Sequence, residues 1–75
     1  MVGYQLNTIE DAEKLLRVCH QYKDLLTIDV IYGRYIIDGT STLGVLSLLG
    51  KTVTIEAIGD ETEKERLYDN IRHLS

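Results

Sequence analysis

Apolar residues at every second position predict strands in this chain. Residues 2–6 and 53–57 alternate between apolar side chains and polar or small ones, which is the period of a strand that buries one face. Residues 28–32 also carry apolar side chains at alternate positions, and residues 35–37 form a further run of residues that favour β-structure. The pattern therefore predicts four strands.

The two middle strands are separated by Gly33 and Arg34. Glycine at the first position of a two-residue loop suits a type II′ turn, whose twist matches that of antiparallel strands. We therefore predict a β-hairpin at this point of the chain.

Apolar residues at spacings of three and four predict two helices. The first apolar stripe comprises Ala12, Leu15, Leu16, Cys19 and Tyr22. The second comprises Leu67, Ile71 and Leu74. Asn7 and Thr8 can each cap the first helix, because each is followed three residues later by an acid. Acidic residues also fill the first turns of the last helix, where the helix dipole favours negative charge.

A third, shorter helix is predicted within residues 38–50. This stretch begins with five turn and capping residues and continues with a leucine-rich run, and Thr40 or Ser41 can cap the helix. The resulting order of elements is β-α-β-β-α-β-α, with helices that can all cover one face of a four-stranded sheet. We therefore predict a two-layer α+β fold in a single domain over residues 1–75.

Size and charge narrow the classes of function. A chain of 75 residues buries only about 60% of its unfolded surface, which leaves little room for a deep enzyme cavity. Eight basic and twelve acidic residues give a net charge of −4 without a basic stripe, so we expect no nucleic-acid partner. The single cysteine and the lack of an apolar leader or a long apolar run indicate a reducing cytoplasm and no membrane segment.

The stretch DGTSTLGVLSL, residues 38–48, resembles part of HPr, the histidine-containing phosphocarrier of the bacterial sugar phosphotransferase system. In that family a lysine-serine pair is followed by two apolar residues, a glycine, two more apolar residues and a serine-leucine pair. The matching residues are Ser41, Leu43, Gly44, Val45, Leu46, Ser47 and Leu48. Thr40 stands where lysine is usual, and Thr42 where an apolar residue is usual. The resemblance implies an open-faced β-sandwich, with an antiparallel four-stranded sheet and three helices on one face.

The resemblance does not extend to the catalytic centre of the family. HPr carries its phosphoryl group on a histidine at the N-cap of the first helix, followed by an arginine and a proline, because the amides of a helix end stabilise the phosphoryl group. Residues 6–12 of this chain contain none of these three residue types, and His20 and His73 lie elsewhere in the sequence. The resemblance therefore implies a non-catalytic HPr-like protein, not an enzyme, with no cofactor and no bound metal.

In HPr of Gram-positive bacteria, a regulatory kinase phosphorylates the serine that matches Ser41, and the apolar residues of the same helix contact partner proteins. Ser41 is therefore the implied phosphorylation site. The implied partner-binding residues are Thr42, Leu43, Gly44, Leu46 and Ser47. The implied partners are phosphotransferase-system enzymes, a serine kinase or a transcriptional regulator. Helix capping alone, which contributes about 1 kcal/mol, is the alternative role of Ser41.

One stripe of a short helix cannot bury all of its leucines. We therefore expect Leu43 and Leu46 to be more exposed than Leu16, Ile55 or Leu67. We expect the five tyrosines to fill the rim of the core, because the chain has no phenylalanine. Two other functions stay open: a phosphocarrier that uses an unexpected residue, and a module that binds a small molecule or self-associates through the bare face of the sheet.

Overall fold

A four-stranded sheet and three helices make up the computed structural model, which describes residues 1–74. The strands are β1 (Val2–Leu6), β2 (Leu26–Tyr32), β3 (Tyr35–Asp38) and β4 (Lys51–Gly59). The helices are α1 (Ile9–Tyr22), α2 (Thr42–Leu46) and α3 (Glu61–Arg72). The strand order is β1-β4-β2-β3, and every neighbouring pair is antiparallel. The predicted α+β, open-faced arrangement is therefore confirmed.

The core lies between one face of the sheet and the helices. Along β4, the side chains of Val53, Ile55 and Ala57 are buried, whereas those between them are not. Ile55 lies opposite Val2 in β1 and Val30 in β2, so one apolar row crosses three strands. Helices α1 and α3 pack against each other and against β1, and α3 also contacts β4. The alternation in the sequence thus predicted correctly which face of β4 is buried.

Thr8, and not Asn7, is the N-cap of α1. The Thr8 Oγ1 atom accepts a hydrogen bond from the Asp11 backbone N–H at 3.1 Å, and Asp11 Oδ2 accepts one from the Thr8 backbone N–H at 3.1 Å. This reciprocal pair is a capping box. The Asn7 backbone N–H donates to the same carboxylate oxygen at 3.1 Å, so Asp11 binds two amides at the start of the helix.

The hairpin between β2 and β3 has the predicted turn. Gly33 has φ of 57°, in the left-handed region, and Arg34 does not have a positive φ, as a type II′ turn requires. Tyr32 and Tyr35 face each other across the hairpin but are 37% and 66% exposed, so the prediction that they fill the rim of the core was wrong. Helix α2 is too short to cover them, since it spans only Thr42–Leu46.

Helix α2 is shorter than the leucine-rich stretch that contains it. After Leu46 the chain turns more tightly, with backbone hydrogen bonds from Leu48 to Val45 at 3.0 Å and from Leu49 to Leu46 at 3.2 Å. Gly50 then donates its backbone N–H to the Leu6 carbonyl at 2.6 Å. Gly50 directly precedes β4, and from this point the chain must pair with β1, so the helix ends early.

Tyr68 is a core residue that the apolar stripe of α3 did not include. Pairing between β1 and β4 ends where Val2 lies opposite Ile55, two residues before Ala57. The Tyr68 hydroxyl accepts a hydrogen bond from the Ala57 backbone N–H at 2.9 Å, and the tyrosine is 6% exposed. Helix α3 therefore supplies the hydrogen-bond acceptor for a buried backbone amide of β4.

We expect Tyr68→Phe to lower the free energy of unfolding by about 1–3 kcal/mol, because it leaves the buried Ala57 N–H without its acceptor. Chemical denaturation measures this difference. The matched control is Tyr35→Phe, since the Tyr35 ring is exposed and we expect its change to lie within about 0.5 kcal/mol. Equal effects of the two substitutions would contradict a structural role for the Tyr68 hydroxyl.

Candidate functional site

Ser41 is the N-cap of α2 and lies at the start of the predicted site. Its backbone is extended, with φ of −84° and ψ of 109°, and its Oγ atom accepts a hydrogen bond from the Gly44 backbone N–H at 3.2 Å. The Ser41 carbonyl accepts the first helical hydrogen bond, from Val45 N–H at 2.9 Å. Ser41 is half-buried. It therefore has the position in a helix that the sequence predicted.

Asp38 holds Thr40 away from the helix end. Its Oδ1 atom accepts hydrogen bonds from the Thr40 backbone N–H at 2.9 Å and from the Thr40 hydroxyl at 2.8 Å. These two hydrogen bonds lower the pKa of the Asp38 carboxyl. Of the two candidate caps, only Ser41 is thus left to cap α2, with an ionised carboxylate three residues before it.

The predicted partner-binding residues of α2 differ in exposure. Leu43 is 83% exposed, and Thr42 is also exposed. Leu46 is half-buried against the core, and Val45 between them is fully buried. Since Leu16 is buried, Leu43 and Leu46 are both more exposed than the core leucines, as we expected.

Gly44 is the point at which α2 touches the sheet. A β-carbon at this position would overlap Ile37 Cγ2 of β3 and would lie 3.0 Å from Ser41 Oγ. The close approach of helix and strand therefore requires glycine here, which is a packing reason for the residue. Ser47 follows the helix, is exposed, and donates its hydroxyl to the Gly44 carbonyl at 2.6 Å.

An apolar pocket lies beside α2, at the end of the hairpin. We call it the hairpin pocket, and it is lined by Tyr32, Tyr35, Ile37, Ser47, Leu48 and Lys51. Its volume is about 310 Å³. Of these residues, only Ser47 was predicted from the sequence to be part of a functional surface. The signal that could have pointed to the pocket is the tyrosine on either side of the Gly33-Arg34 turn, because such residues pair across a hairpin.

The N-terminus of α1, where HPr carries its catalytic histidine, is occupied by the Asp11 carboxylate in this chain. Glu10 adds a second acid in the first turn. His20 is exposed in the last turn of α1. His73 is the C-cap residue of α3, and its Nδ1 atom lies 2.6 Å from the Asp69 carbonyl oxygen. Neither histidine is thus at the amino-terminal end of a helix.

Cys19 is fully buried in the core, as its place in the α1 stripe predicts. Burial raises the pKa of the Cys19 thiol to about 12, and the negative charge of Asp38 acts in the same direction. The thiol is therefore neutral at physiological pH and is poorly suited to nucleophilic chemistry.

Comparisons of the chain with protein family models, with curated protein sequences and with solved structures find no match. Among residues 1–74, no group of three or more His, Cys, Asp or Glu side chains is placed to hold a metal ion. No helix in the described part of the chain combines the length and the apolar character needed to cross a membrane. The candidate site therefore rests on its own geometry and on the HPr resemblance of residues 38–48.

We expect Gly44→Ala to destabilise the protein by about 1–3 kcal/mol through overpacking against Ile37. The sign of the change in the free energy of unfolding tests this packing, because the same substitution in an unobstructed helix is stabilising by up to about 1 kcal/mol. The control is Gly3→Ala, where the nearest heavy atom to the new β-carbon lies 3.9 Å away. Denaturant unfolding of the three proteins tests this, and a more stable Gly44→Ala variant would contradict the packing described.

We expect iodoacetamide to leave Cys19 unmodified in the folded protein at pH 8 and to alkylate it rapidly in concentrated guanidinium chloride. The folded-state pKa of about 12 lies above the unfolded value of about 8.5. The contribution of the neutral thiol to stability is therefore complete below pH 8.5 and is lost as the pH rises toward 12. Rapid alkylation of the native protein at pH 8, followed by intact mass, would show that the thiol is accessible.

Proposed function

We propose that this protein is a non-catalytic, HPr-like module of the bacterial cytoplasm that binds a protein partner through α2, and that phosphorylation of Ser41 changes this binding. The observation that carries the proposal is the exposure of Leu43, 83% of which is open to solvent two residues after the Ser41 hydroxyl. The partners that fit the HPr resemblance are a serine kinase, enzymes of the phosphotransferase system or a transcriptional regulator.

The surroundings of Leu43 support a docking surface. Helix α2 packs against β3 at Gly44 and Ile37, and β3 contributes exposed Tyr35 to the adjoining hairpin pocket. Ser47 lies one helical turn after Leu43, to whose carbonyl its backbone N–H donates at 3.0 Å. Exposed apolar residues on adjoining elements are typical of surfaces that bind other proteins.

A phosphoryl group on Ser41 would change this surface electrostatically. It carries a charge of about −1.5 to −2 at pH 7, and it would enter beside Leu43 and next to the Gly44 N–H that Ser41 Oγ now binds. The Asp38 carboxylate, three residues earlier, would repel the negatively charged phosphoryl group. We therefore expect phosphorylation to alter the choice of partner more than the stability of α2.

Phosphotransfer through a histidine has less support. The amides of Asn7 and Thr8 at the start of α1 already donate to Asp11, which would repel a phosphate. His20 and His73 lie toward the C-terminal ends of their helices, where the helix dipole is negative and disfavours an anion. A carrier that uses either histidine would lack the stabilisation that a helix N-terminus supplies.

The test is the intact mass of the protein after incubation in two mixtures. One contains ATP and an HPr serine kinase, and the other contains phosphoenolpyruvate and the general phosphotransferase enzyme. We expect one phosphoryl group from ATP and none from phosphoenolpyruvate. Ser41→Asn is the sharpest control, because asparagine keeps the helix cap but has no hydroxyl to modify, whereas Ser41→Ala loses both.

Each alternative predicts a different mass. An acid-labile phosphoryl group from phosphoenolpyruvate would show that the protein is a carrier and would contradict the proposal. A group added from ATP that persists in Ser41→Asn would place the modification at another residue. No addition in either mixture would leave capping as the role of Ser41.

Exposed Leu43 should matter for recognition by the kinase. We expect Leu43→Ser to lower kcat/KM for phosphorylation of Ser41 at least about fivefold, which corresponds to roughly 1 kcal/mol of lost contact energy. Leu25→Ser is the matched control, because Leu25 is 58% exposed and lies in the connection between α1 and β2. Equal values of kcat/KM for the two variants would contradict a role for Leu43 in the docking surface.

A further inference from the structure

The hairpin pocket has one charged group, three hydroxyl-bearing residues and mainly apolar walls. Ile37 and Leu48 supply aliphatic surface, and the rings of Tyr32 and Tyr35 flank it. The space of about 310 Å³ is at the lower end of the range for small-molecule sites. The pocket is open to solvent on one side, since Tyr35 is 66% exposed.

Lys51 is the charged side chain of this pocket. Its Nζ atom lies 5.3 Å from the centroid of the Tyr32 ring, a cation–π distance. No ion pair of Lys51 occurs within residues 1–74, although four other basic side chains form such pairs. The ammonium group thus lies beside the Tyr32 ring, with no carboxylate of the described residues within 4.0 Å.

We propose that the hairpin pocket binds a small carboxylic acid with an apolar body, such as an aryl or branched aliphatic acid. The carboxylate would pair with Lys51 Nζ, and the apolar part would lie against Ile37 and Leu48 between the two tyrosines. A charge-assisted contact of this kind is stronger than a neutral hydrogen bond, and the apolar walls add the burial of the ligand's carbon surface. This site does not depend on phosphorylation of Ser41 or on a protein partner.

The charge of the pocket selects against other anions. A phosphate ester or nucleotide carries about two charges and needs several donors, as in sites built from consecutive backbone amides. Here one ammonium group, the Ser47 hydroxyl and the tyrosine hydroxyls are set among apolar walls, and the Ser47 hydroxyl already donates to the Gly44 carbonyl. A single negative charge on an apolar body matches this composition best.

The test is a titration of the ¹⁵N-labelled protein with phenylacetate, followed by NMR, with phenylacetamide as the uncharged ligand of the same shape. We expect phenylacetate to shift the backbone amides of Tyr35, Ile37, Leu48 and Lys51, and to bind at least about tenfold more tightly than phenylacetamide, the equivalent of roughly 1.4 kcal/mol. Binding should also weaken as salt is raised, because Lys51 is exposed.

Two lysine variants separate the charge from the fold. Lys51→Gln should weaken phenylacetate binding to the level of phenylacetamide, and Lys51→Arg should restore it. Lys23→Gln, at an exposed lysine outside the pocket, should leave it unchanged. The proposal is overturned if neither ligand shifts these amides up to its solubility limit, if both bind equally, or if Lys23→Gln weakens binding as much as Lys51→Gln.

Discussion

The position of β4 between β1 and β2 is the constraint on which the rest of the structure depends. This strand pairs along both edges, and its inward residues Val53 and Ile55 are at most 1% exposed. Burying a side chain of this size contributes about 1.5–3 kcal/mol. The free energy gained by burying a few such side chains is therefore comparable with the whole free energy of unfolding of a small domain. Helices α1 and α3 are needed because the inward face of this strand must be covered.

The three helix starts are built differently, and the differences bear on function. Helix α1 begins with a capping box in which Asp11 binds backbone amides, and α3 begins with Asp60, whose carboxylate accepts from Glu63 N–H at 3.2 Å. Helix α2 is the one of the three without an acid in its first turn, and its cap, Ser41, is neutral. A charged group added at α2 therefore changes the electrostatics of that helix end more than it would at the other two.

Helix α2 and the turn after it contribute to two surfaces of different character. Leu43 is open to solvent and is the centre of the proposed docking surface. The turn after the helix forms a wall of the hairpin pocket with Ser47 and Leu48. Gly44 holds the helix close to β3, so both surfaces depend on the same contact. A partner on α2 and a ligand in the pocket would therefore be neighbours.

Sequence alone determined the features that depend on local patterns: four strands, the stripes of α1 and α3, and the β2–β3 hairpin. It also limited the cap of α1 to Asn7 or Thr8 and the cap of α2 to Thr40 or Ser41. Tertiary structure decided the rest. Thr8 caps α1 because its hydroxyl accepts the Asp11 N–H, and Ser41 caps α2 because its hydroxyl accepts the Gly44 N–H while Asp38 binds Thr40.

Periodicity does not determine the strand order, and the family resemblance implied only that the sheet is antiparallel. The expectation that all five tyrosines fill the rim of the core held for Tyr68 and failed for Tyr32 and Tyr35. Tyr68 is buried, and its hydroxyl accepts a hydrogen bond from the Ala57 backbone N–H. Tyr32 and Tyr35 are exposed since α2 ends before it covers them. A tyrosine has the same intrinsic preference in all three places, so only the lengths and contacts of the surrounding elements decide whether it packs in the core or lines a pocket.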